Sequence, residues 1–110
     1  MTTFDDRERS FEKKFALDQE FQFRSEQRRN KLLGEWAAGK LGLSGAAVED
    51  YVKAVRKADL ASKGHEDVFQ KIRQDFDAKQ LAVPDAELRR AIADFLAAAV
   101  TQIEAERKAK

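Results

Sequence analysis

The segment most suggestive of chemistry is GEWAAGK, from Gly34 to Lys40, which matches the spacing G-x-x-x-x-G-K of a phosphate-binding loop. Such a loop follows a strand, wraps phosphates with backbone N–H groups, and is followed by a Ser or Thr hydroxyl that binds Mg²⁺. Here Leu41 occupies the hydroxyl position, and Trp36 and Ala37 continue a helical pattern. We therefore interpret the segment as the end of a packed helix, where the glycines allow close packing and termination.

A short basic run, RRNK, contains Arg28 and Arg29 and could contact phosphate or an acidic surface of a partner protein. Glu20 and Glu26 lie close by in the sequence, and a helix face of mixed charge is usually solvated and joined by ion pairs. Arg28 and Arg29, together with Lys40, are the candidate residues for weak binding of ATP or ADP.

Residues able to catalyse a reaction or hold a metal are scarce. The chain has one histidine and no cysteine, which excludes thiolate chemistry, disulfides and a histidine metal site. His65 follows Gly64 and precedes two acids, as at a helix start. Adjacent acids such as Glu49 and Asp50 lie on different helix faces and do not specify a general acid and base. We predict no catalytic residue, no metal and no enzymatic activity.

The composition predicts one helical domain. Its 110 residues include one proline, and 21 basic residues balance 20 acidic ones to a net charge of +1. This balance produces no overall field that would attract nucleic acid or anionic lipid. The N-terminus is charged where a secretory signal is apolar, and no segment approaches the roughly 20 apolar residues of a membrane span. We expect a cytoplasmic protein without direct membrane insertion.

Four helices are predicted from turn residues and apolar spacing. They are expected to run from Thr3 to Leu41, from Gly45 to Ser62 between the N-cap Ser44 and the closing Gly64, from His65 onward, and from Pro84 and Asp85 into the C-terminal ERKAK. The inward residues of the last three are expected to be Val48, Tyr51, Val52, Val55, Ala58, Val68, Phe69, Ile72, Phe76, Leu88, Ile92, Phe95, Leu96, Ala99 and Ile103. These helices and their short turns predict an all-α four-helix bundle with a long N-terminal helix or a mobile N-terminal segment.

The first helix is longer than a compact bundle requires. It would measure about 57 Å at about 1.5 Å per residue, against a diameter of about 34 Å for a compact domain of this size. Phe4, Phe11 and Phe15 form one stripe at about 100° per residue. A later set lies about 40° to 140° away from the centre of this stripe at that spacing: Leu17, Phe21, Leu32 and Trp36. We expect a break or handover around residues 16–23, with the later set facing the bundle.

The aromatic stripe of Phe4, Phe11 and Phe15 is surrounded by charged residues. Like-charged pairs four residues apart, such as Glu8 and Glu12, weaken an isolated helix. A marginal helix with an aromatic face is suited to binding in a partner's groove, where each buried Phe contributes about 1.5 to 3 kcal/mol before ordering costs. The stripe is therefore a candidate partner-binding surface.

Several motifs resemble a known family. They are MTTFDDRERSFEKKFA, RRNKLLGEWAA followed by LG, the pair Ala58 and Asp59, and the pair Asp67 and Val68. Together they are similar to the ζ subunit, the small inhibitor of the F-type ATP synthase of alphaproteobacteria, formerly a domain of unknown function. The likeness spans nearly the whole chain and is densest from residue 1 to 42. It implies a four-helix protein whose N-terminal segment inserts between the α and β subunits and against γ, and blocks ATP hydrolysis more than synthesis.

The resemblance also implies how the single domain of residues 1–110 is organised. Residues 1–19 would be the inhibitory segment and residues 20–110 the bundle, which docks on the outer surface of the ATP synthase head. The anchors would be Phe4, Phe11 and Phe15, and the rim contacts Asp5, Arg7, Glu8 and Lys14. The protein would be a monomer when free, and peripheral to the inner membrane through the synthase. Two other classes stay open, a small nucleotide-binding helical protein and an adaptor for another complex.

Overall fold

A computed structural model describes residues 3–59 and 65–109, with side chains described for residues 19–59 and 65–108. It contains four helices: α1 (Thr3–Lys40), α2 (Ala46–Asp59), α3 (Glu66–Ala78) and α4 (Asp85–Ala109). The described residues form no strand, and no described helix is long and apolar enough to cross a membrane. The all-α bundle with a long first helix and short turns is therefore confirmed.

Helix α1 ends where the glycine cluster predicts. The Leu43 N–H donates to the Ala38 carbonyl at 2.9 Å, and the Gly42 N–H donates to the Gly39 carbonyl at 3.1 Å. Gly42 has a φ of +80°, a left-handed conformation that suits a residue without a side chain. These two bonds and this conformation form a Schellman motif, which satisfies carbonyls at the end of the helix.

Helix α2 begins one residue later than predicted. Gly45, with a φ of +60°, directly precedes the helix. Ser44 contributes its backbone carbonyl, which accepts a bond of 3.3 Å from the Ala47 N–H. The left-handed Gly45 therefore separates Ser44 from the helix that it was expected to cap. The predicted end at Ser62 and the predicted closing residue Gly64 lie outside the described residues.

The starts of α3 and α4 agree with the sequence prediction. The carbonyl of His65, the residue before α3, accepts a bond of 2.9 Å from the Phe69 N–H. The Pro84 carbonyl accepts one of 3.2 Å from the Leu88 N–H at the start of α4. Proline is suited to this place because a helix leaves its first N–H groups unpaired.

One hydrophobic core joins the four helices. Helix α1 packs against α2 and α4, and α3 completes the bundle by packing against the same two helices. The fully buried apolar side chains include Leu33, Val55, Val68, Ile72, Phe76 and Leu88. The half-buried ring of Trp36 lies 5.9 Å from the Phe76 ring and 6.2 Å from the Phe95 ring, centroid to centroid. These aromatic contacts connect α1 to α3 and α4.

Polar contacts join α3 to its two neighbours. The hydroxyl of the buried Tyr51, on α2, donates to Asp75 Oδ2 at 2.8 Å. Burial, this hydrogen bond and the nearby carboxylate raise the pKa of Tyr51 well above its ordinary value. On the opposite side, Arg89 of α4 donates two hydrogen bonds, of 3.0 and 3.2 Å, to the Glu66 carboxylate. These bonds lower the pKa of Glu66, so both residues stay charged at neutral pH.

The buried face of α1 differs from the one predicted. Of the residues expected to face inward, Trp36 packs against the core, whereas Phe21 and Leu32 are only half-buried. The side chain of Leu17 lies outside the described residues. Among the described side chains, the buried positions of α1 and of the residue after it are Ser25, Arg29, Asn30, Leu33, Gly34, Ala37, Ala38 and Leu41. Most of these residues are small or polar, and spacing based on large apolar side chains therefore does not detect this face.

Helix α1 continues without interruption through residues 16–23, so the break considered there is absent. Positions 11 and 15 precede the buried Arg29 and Leu33 by 18 residues each. Eighteen residues complete about five turns at about 3.6 residues per turn. The aromatic stripe and the true buried face therefore share one side of the helix, and no change of direction is needed.

The bundle is extended along α1. Helices α1 and α4 run antiparallel, with Lys40 Nζ 3.5 Å from Glu87 Oε2 at one end. At the other end the Arg107 guanidinium lies 5.1 Å from the centroid of the Phe21 ring. Because α4 ends at Ala109, α1 continues towards Thr3 beyond its neighbour. The described shape measures 62 × 28 × 22 Å, so the excess length of α1 projects.

Candidate partner-binding site

The predicted partner-binding residues all lie on the part of α1 that extends beyond α4. They are Phe4, Asp5, Arg7, Glu8, Phe11, Lys14 and Phe15, and only their backbone is described. From Thr3 to Glu20 the helix comprises about 27 Å at about 1.5 Å per residue. Spacings of seven and four residues place the three aromatic positions within about 40° of one another on a helix. The backbone thus has the conformation that a single aromatic face requires.

Arg28 holds the C-terminal end of α4 against the base of this projecting part. Its Nη1 donates to Gln102 Oε1 at 2.8 Å, and its Nη2 lies 2.6 Å from Glu106 Oε2. The other oxygen of the same carboxylate lies 3.6 Å from Arg24 Nη2. One glutamate therefore links two arginines that lie one turn apart on α1. Arg28, a candidate residue for nucleotide binding, thus has its guanidinium in contact with α4.

Arg29 is buried, with 3% of its surface exposed, and joins α1 to the end of α2. Its Nε donates to Asn30 Oδ1 at 3.0 Å, and its Nη2 lies 3.4 Å from Asp59 Oδ1. Asn30 Nδ2 donates to the other oxygen of Asp59 at 2.9 Å. A buried charge requires an opposite charge and hydrogen bonds of this kind. The solvated face predicted for the basic run is thus wrong at Arg29.

Lys40, the third candidate for nucleotide binding, contacts Glu87 and lies 5.3 Å from the centroid of the Trp36 ring. It is about three turns of helix from Arg28 and Arg29. These two arginines contact different neighbouring helices, α4 and α2. The three candidate side chains do not converge, and nucleotide binding by them stays a prediction.

GEWAAGK lies within the helical backbone of α1, so its N–H groups are not arranged as a phosphate-binding loop. A Cβ atom built on Gly34 would lie 3.1 Å from the Cα of Val52 on α2. The glycine therefore allows the two backbones to approach closely. This contact confirms the interpretation of the segment as a packed helix.

A groove of about 520 Å³ lies between α1 and α2. Its charged lining residues are Lys31, Glu35, Glu49, Lys53 and Arg56. None of the three predicted nucleotide-binding residues lines it. The buried Nε of Arg56 has no hydrogen-bond partner among the described residues, and the described part of the chain contains no group of three potential metal ligands. The mixed charges make the groove a polar surface without a specific ligand geometry.

Sequence reasoning missed three of the residues that hold α1 in place, Gln102, Glu106 and Arg107, and identified Asp59 only as part of a family motif. Asp59 lies 30 residues from Arg29, and Gln102 lies 74 residues from Arg28. Helical spacing identifies pairs three or four residues apart, so it contains no signal for these contacts.

Comparisons with known proteins support the resemblance noted in the sequence. The chain matches the model of a family described as ATPase inhibitor subunit zeta over residues 1–102. It is similar to a solved structure titled "Solution NMR structure of the protein", with 44% sequence identity and a TM-score of 0.68. That similarity covers 77% of this chain and 96% of the other. No curated protein sequence matches the chain. Because the family model includes both the projecting segment and most of the bundle, the chain belongs to the ATPase inhibitor subunit zeta family.

Proposed function

We propose that this protein inhibits ATP hydrolysis by inserting residues 1–19 between the α and β subunits of the F-type ATP synthase head, against the central γ subunit. Membership of the inhibitor family supports an inhibitory role. The observation that carries the insertion is the length of α1, 38 residues against 25 in α4, its antiparallel neighbour. A helix that projects beyond its own bundle can enter a second protein while the bundle remains outside.

The inserted helix needs no chemistry of its own, because it acts by occupying an interface that closes during catalysis. Phe4, Phe11 and Phe15 are the proposed anchors. Burial of three phenylalanines contributes about 5 to 9 kcal/mol before the cost of ordering and immobilisation. The charged residues beside them, Asp5, Arg7, Glu8 and Lys14, are the proposed rim contacts. Contacts at a rim favour specificity more than affinity.

The bundle of residues 20–110 is the proposed tether. Docked on the outer surface of the head, it keeps the inhibitory helix at a high local concentration beside its binding site. The protein would then associate with the membrane only through the ATP synthase. Its proposed partners are the α, β and γ subunits, and it would be monomeric when free.

Removal of residues 1–14 tests the proposal directly. ATP hydrolysis by the isolated cognate head is measured with increasing amounts of the full chain or of the truncated chain. The full chain should inhibit, and the truncated chain should not. Circular dichroism and thermal unfolding should show a folded bundle in both, because the buried residues among the described side chains begin at Ser25. Inhibition by the truncated chain at the same concentrations would contradict the proposal.

A pair of substitutions separates the aromatic face from the rest of the segment. Changing Phe11→Ala and Phe15→Ala together should raise the inhibitory concentration more than 100-fold, since about 3 to 6 kcal/mol of apolar burial is lost. Lys13→Ala is the matched control, because its position lies about 180° from the stripe on a helix. Equal inhibition by the double variant and the control would show that the stripe is not the anchor.

An inserted helix that blocks rotation in one direction should also reduce ATP hydrolysis much more than ATP synthesis.

A further inference from the structure

The last two turns of α4 contact α1 beyond the end of the hydrophobic core. Among the described side chains, the last buried apolar residue of α4 is Ile103, 2% exposed, and the first buried residue of α1 is Ser25, also 2% exposed. The described contacts between α1 and α4 at and beyond this level involve charged, amide and aromatic side chains. They lie where α1 leaves the bundle on its way to the projecting segment.

Glu106 is the centre of these contacts. Its carboxylate links Arg28, at 2.6 Å, with Arg24, at 3.6 Å, and so holds two consecutive turns of α1 from one point on α4. Gln102, one turn earlier on α4, accepts a second hydrogen bond from Arg28. Because the two α1 residues and the two α4 residues are each four positions apart, the contacts resist rotation as well as separation of the helices.

Arg107 adds a contact one turn further along α1. Its guanidinium lies 5.1 Å from the centroid of the Phe21 ring, within the range of a cation–π interaction. The contact places a side chain of α4 beside the last turn of α1 before the projecting part. It thus extends the hold of α4 on α1 from Arg28 to Phe21.

We propose that Gln102, Glu106 and Arg107 form a brace that fixes the direction in which α1 leaves the bundle, and that these are positioning residues for inhibition. The inference rests on the proposed insertion of the N-terminal segment. The bundle and the inserted helix must reach their binding surfaces at the same time, so the angle between them sets how well the protein binds. A brace at the exit point restricts that angle before binding.

The brace should contribute little to overall stability. The side chains of Glu106 and Arg28 are 42% and 28% exposed, and exposed ion pairs contribute only modestly to folding. Orientation responds differently, because apparent affinity falls in proportion to the fraction of molecules in the binding-competent arrangement. If loss of the brace reduces that fraction to about a tenth, the inhibitory concentration rises about 10-fold.

Charge reversal tests the brace in the full-length protein. Glu106→Lys places a third cation beside Arg24 and Arg28, and should raise the inhibitory concentration in the ATP hydrolysis assay about 10-fold with little change in Tm. Adding Arg28→Glu restores an opposite-charge pair and should recover most of the inhibition. Arg90→Ala is the matched control, since Arg90 belongs to an exposed pair elsewhere on α4. It should inhibit like the unmodified chain.

A distance measurement provides a readout that a merely structural role would not change. The chain has no cysteine, so Ala16→Cys and Ala93→Cys introduce two specific positions for spin labels, on α1 and α4. Electron–electron resonance should give a narrow distance distribution in the labelled parent and a broader one after Glu106→Lys. The distribution should narrow again when Arg28→Glu is added.

The outcomes separate the brace from the proposed function. If the chain without residues 1–14 does not inhibit, but Glu106→Lys inhibits fully, the insertion stands and the brace is wrong. Reduced inhibition by Glu106→Lys with an unchanged distance distribution would also overturn the brace. If the truncated chain inhibits fully, the insertion itself is wrong and the brace has no inhibitory segment to position. Only reduced inhibition with a broadened distribution, both restored by Arg28→Glu, supports the brace.

Discussion

Helix α1 is held by two interfaces of different construction. Against α2 it presents small residues and a buried polar group: Gly34 lies close to Val52, and Arg29 pairs with Asp59. Against α4 its polar contacts are made by long, partly exposed side chains, such as the pair of Lys40 and Glu87. Backbones that touch through a glycine allow little adjustment, whereas long side chains adapt to small movements.

This difference indicates a division of roles along one helix. The α1–α2 interface contains groups that cannot remain buried without their partners, so it should dominate folding. The polar part of the α1–α4 interface lies near water, so its loss should cost little stability and should alter orientation instead. Substitutions on the two sides of α1 can therefore break or sharpen the distinction.

The largest effect is expected from Asp59→Ala. The change leaves the Arg29 guanidinium buried without its opposite charge, which should lower the free energy of unfolding by about 3 to 5 kcal/mol. Urea denaturation followed by circular dichroism measures it. Replacing the whole polar cluster, with Arg29→Met, Asn30→Leu and Asp59→Leu, is the control and should cost less because no charge and no unpaired amide stay buried. A loss below about 1 kcal/mol from Asp59→Ala would mean that water reaches the arginine.

A smaller loss is expected from Gly34→Leu. The new side chain would meet the Cα of Val52, whose backbone cannot rotate away, and overpacking of this kind costs about 1 to 3 kcal/mol. Gly39→Leu is the matched control, because a Cβ built there meets no atom within 4 Å. That control should gain up to about 1 kcal/mol from helix propensity. Equal unfolding midpoints for the two variants would show that α1 and α2 separate freely at this point.

The smallest effect is expected from Glu87→Gln, on the other side of α1. Lys40 Nζ lies 3.5 Å from the carboxylate, and both side chains are substantially exposed. Loss of such a pair should change the free energy of unfolding by less than about 0.5 kcal/mol. The same urea titration, repeated at low and high salt, measures the difference. A change above about 1 kcal/mol would remove the distinction between the two interfaces.

The helices could be predicted because their ends depend on local chemistry. Gly42 ends α1 since its left-handed conformation is available to glycine at no steric cost, and Pro84 precedes α4 because a first turn needs no N–H from it. Each of these signals acts within a few residues along the chain. Ser44 was predicted less well because Gly45, also left-handed, takes the place next to α2.

The packing of α1 could not be predicted in the same way. Its contact with α2 uses Gly34, which adds almost nothing to a hydrophobic pattern, and Arg29, whose partner lies 30 residues away. Large residues such as Phe21 and Leu32 are instead only half-buried. The same distinction applies to the candidate site. The aromatic stripe could be predicted because its spacing is local in the sequence, whereas the brace could not because its residues lie on α4.

Because α1 is uninterrupted, the number of residues between the stripe and the bundle determines the direction in which the stripe faces around the helix axis. Inserting one residue between positions 16 and 24 would turn the stripe by about 100° around the helix axis and move it outward by about 1.5 Å. Inserting seven would return it to within about 20° of its original direction, but about 10 Å further out. In a rigid helix, an insertion therefore changes both the reach of the stripe and the direction in which it faces. We expect insertions or deletions between positions 16 and 24 in relatives of this protein to comprise whole helical repeats, which preserve that direction.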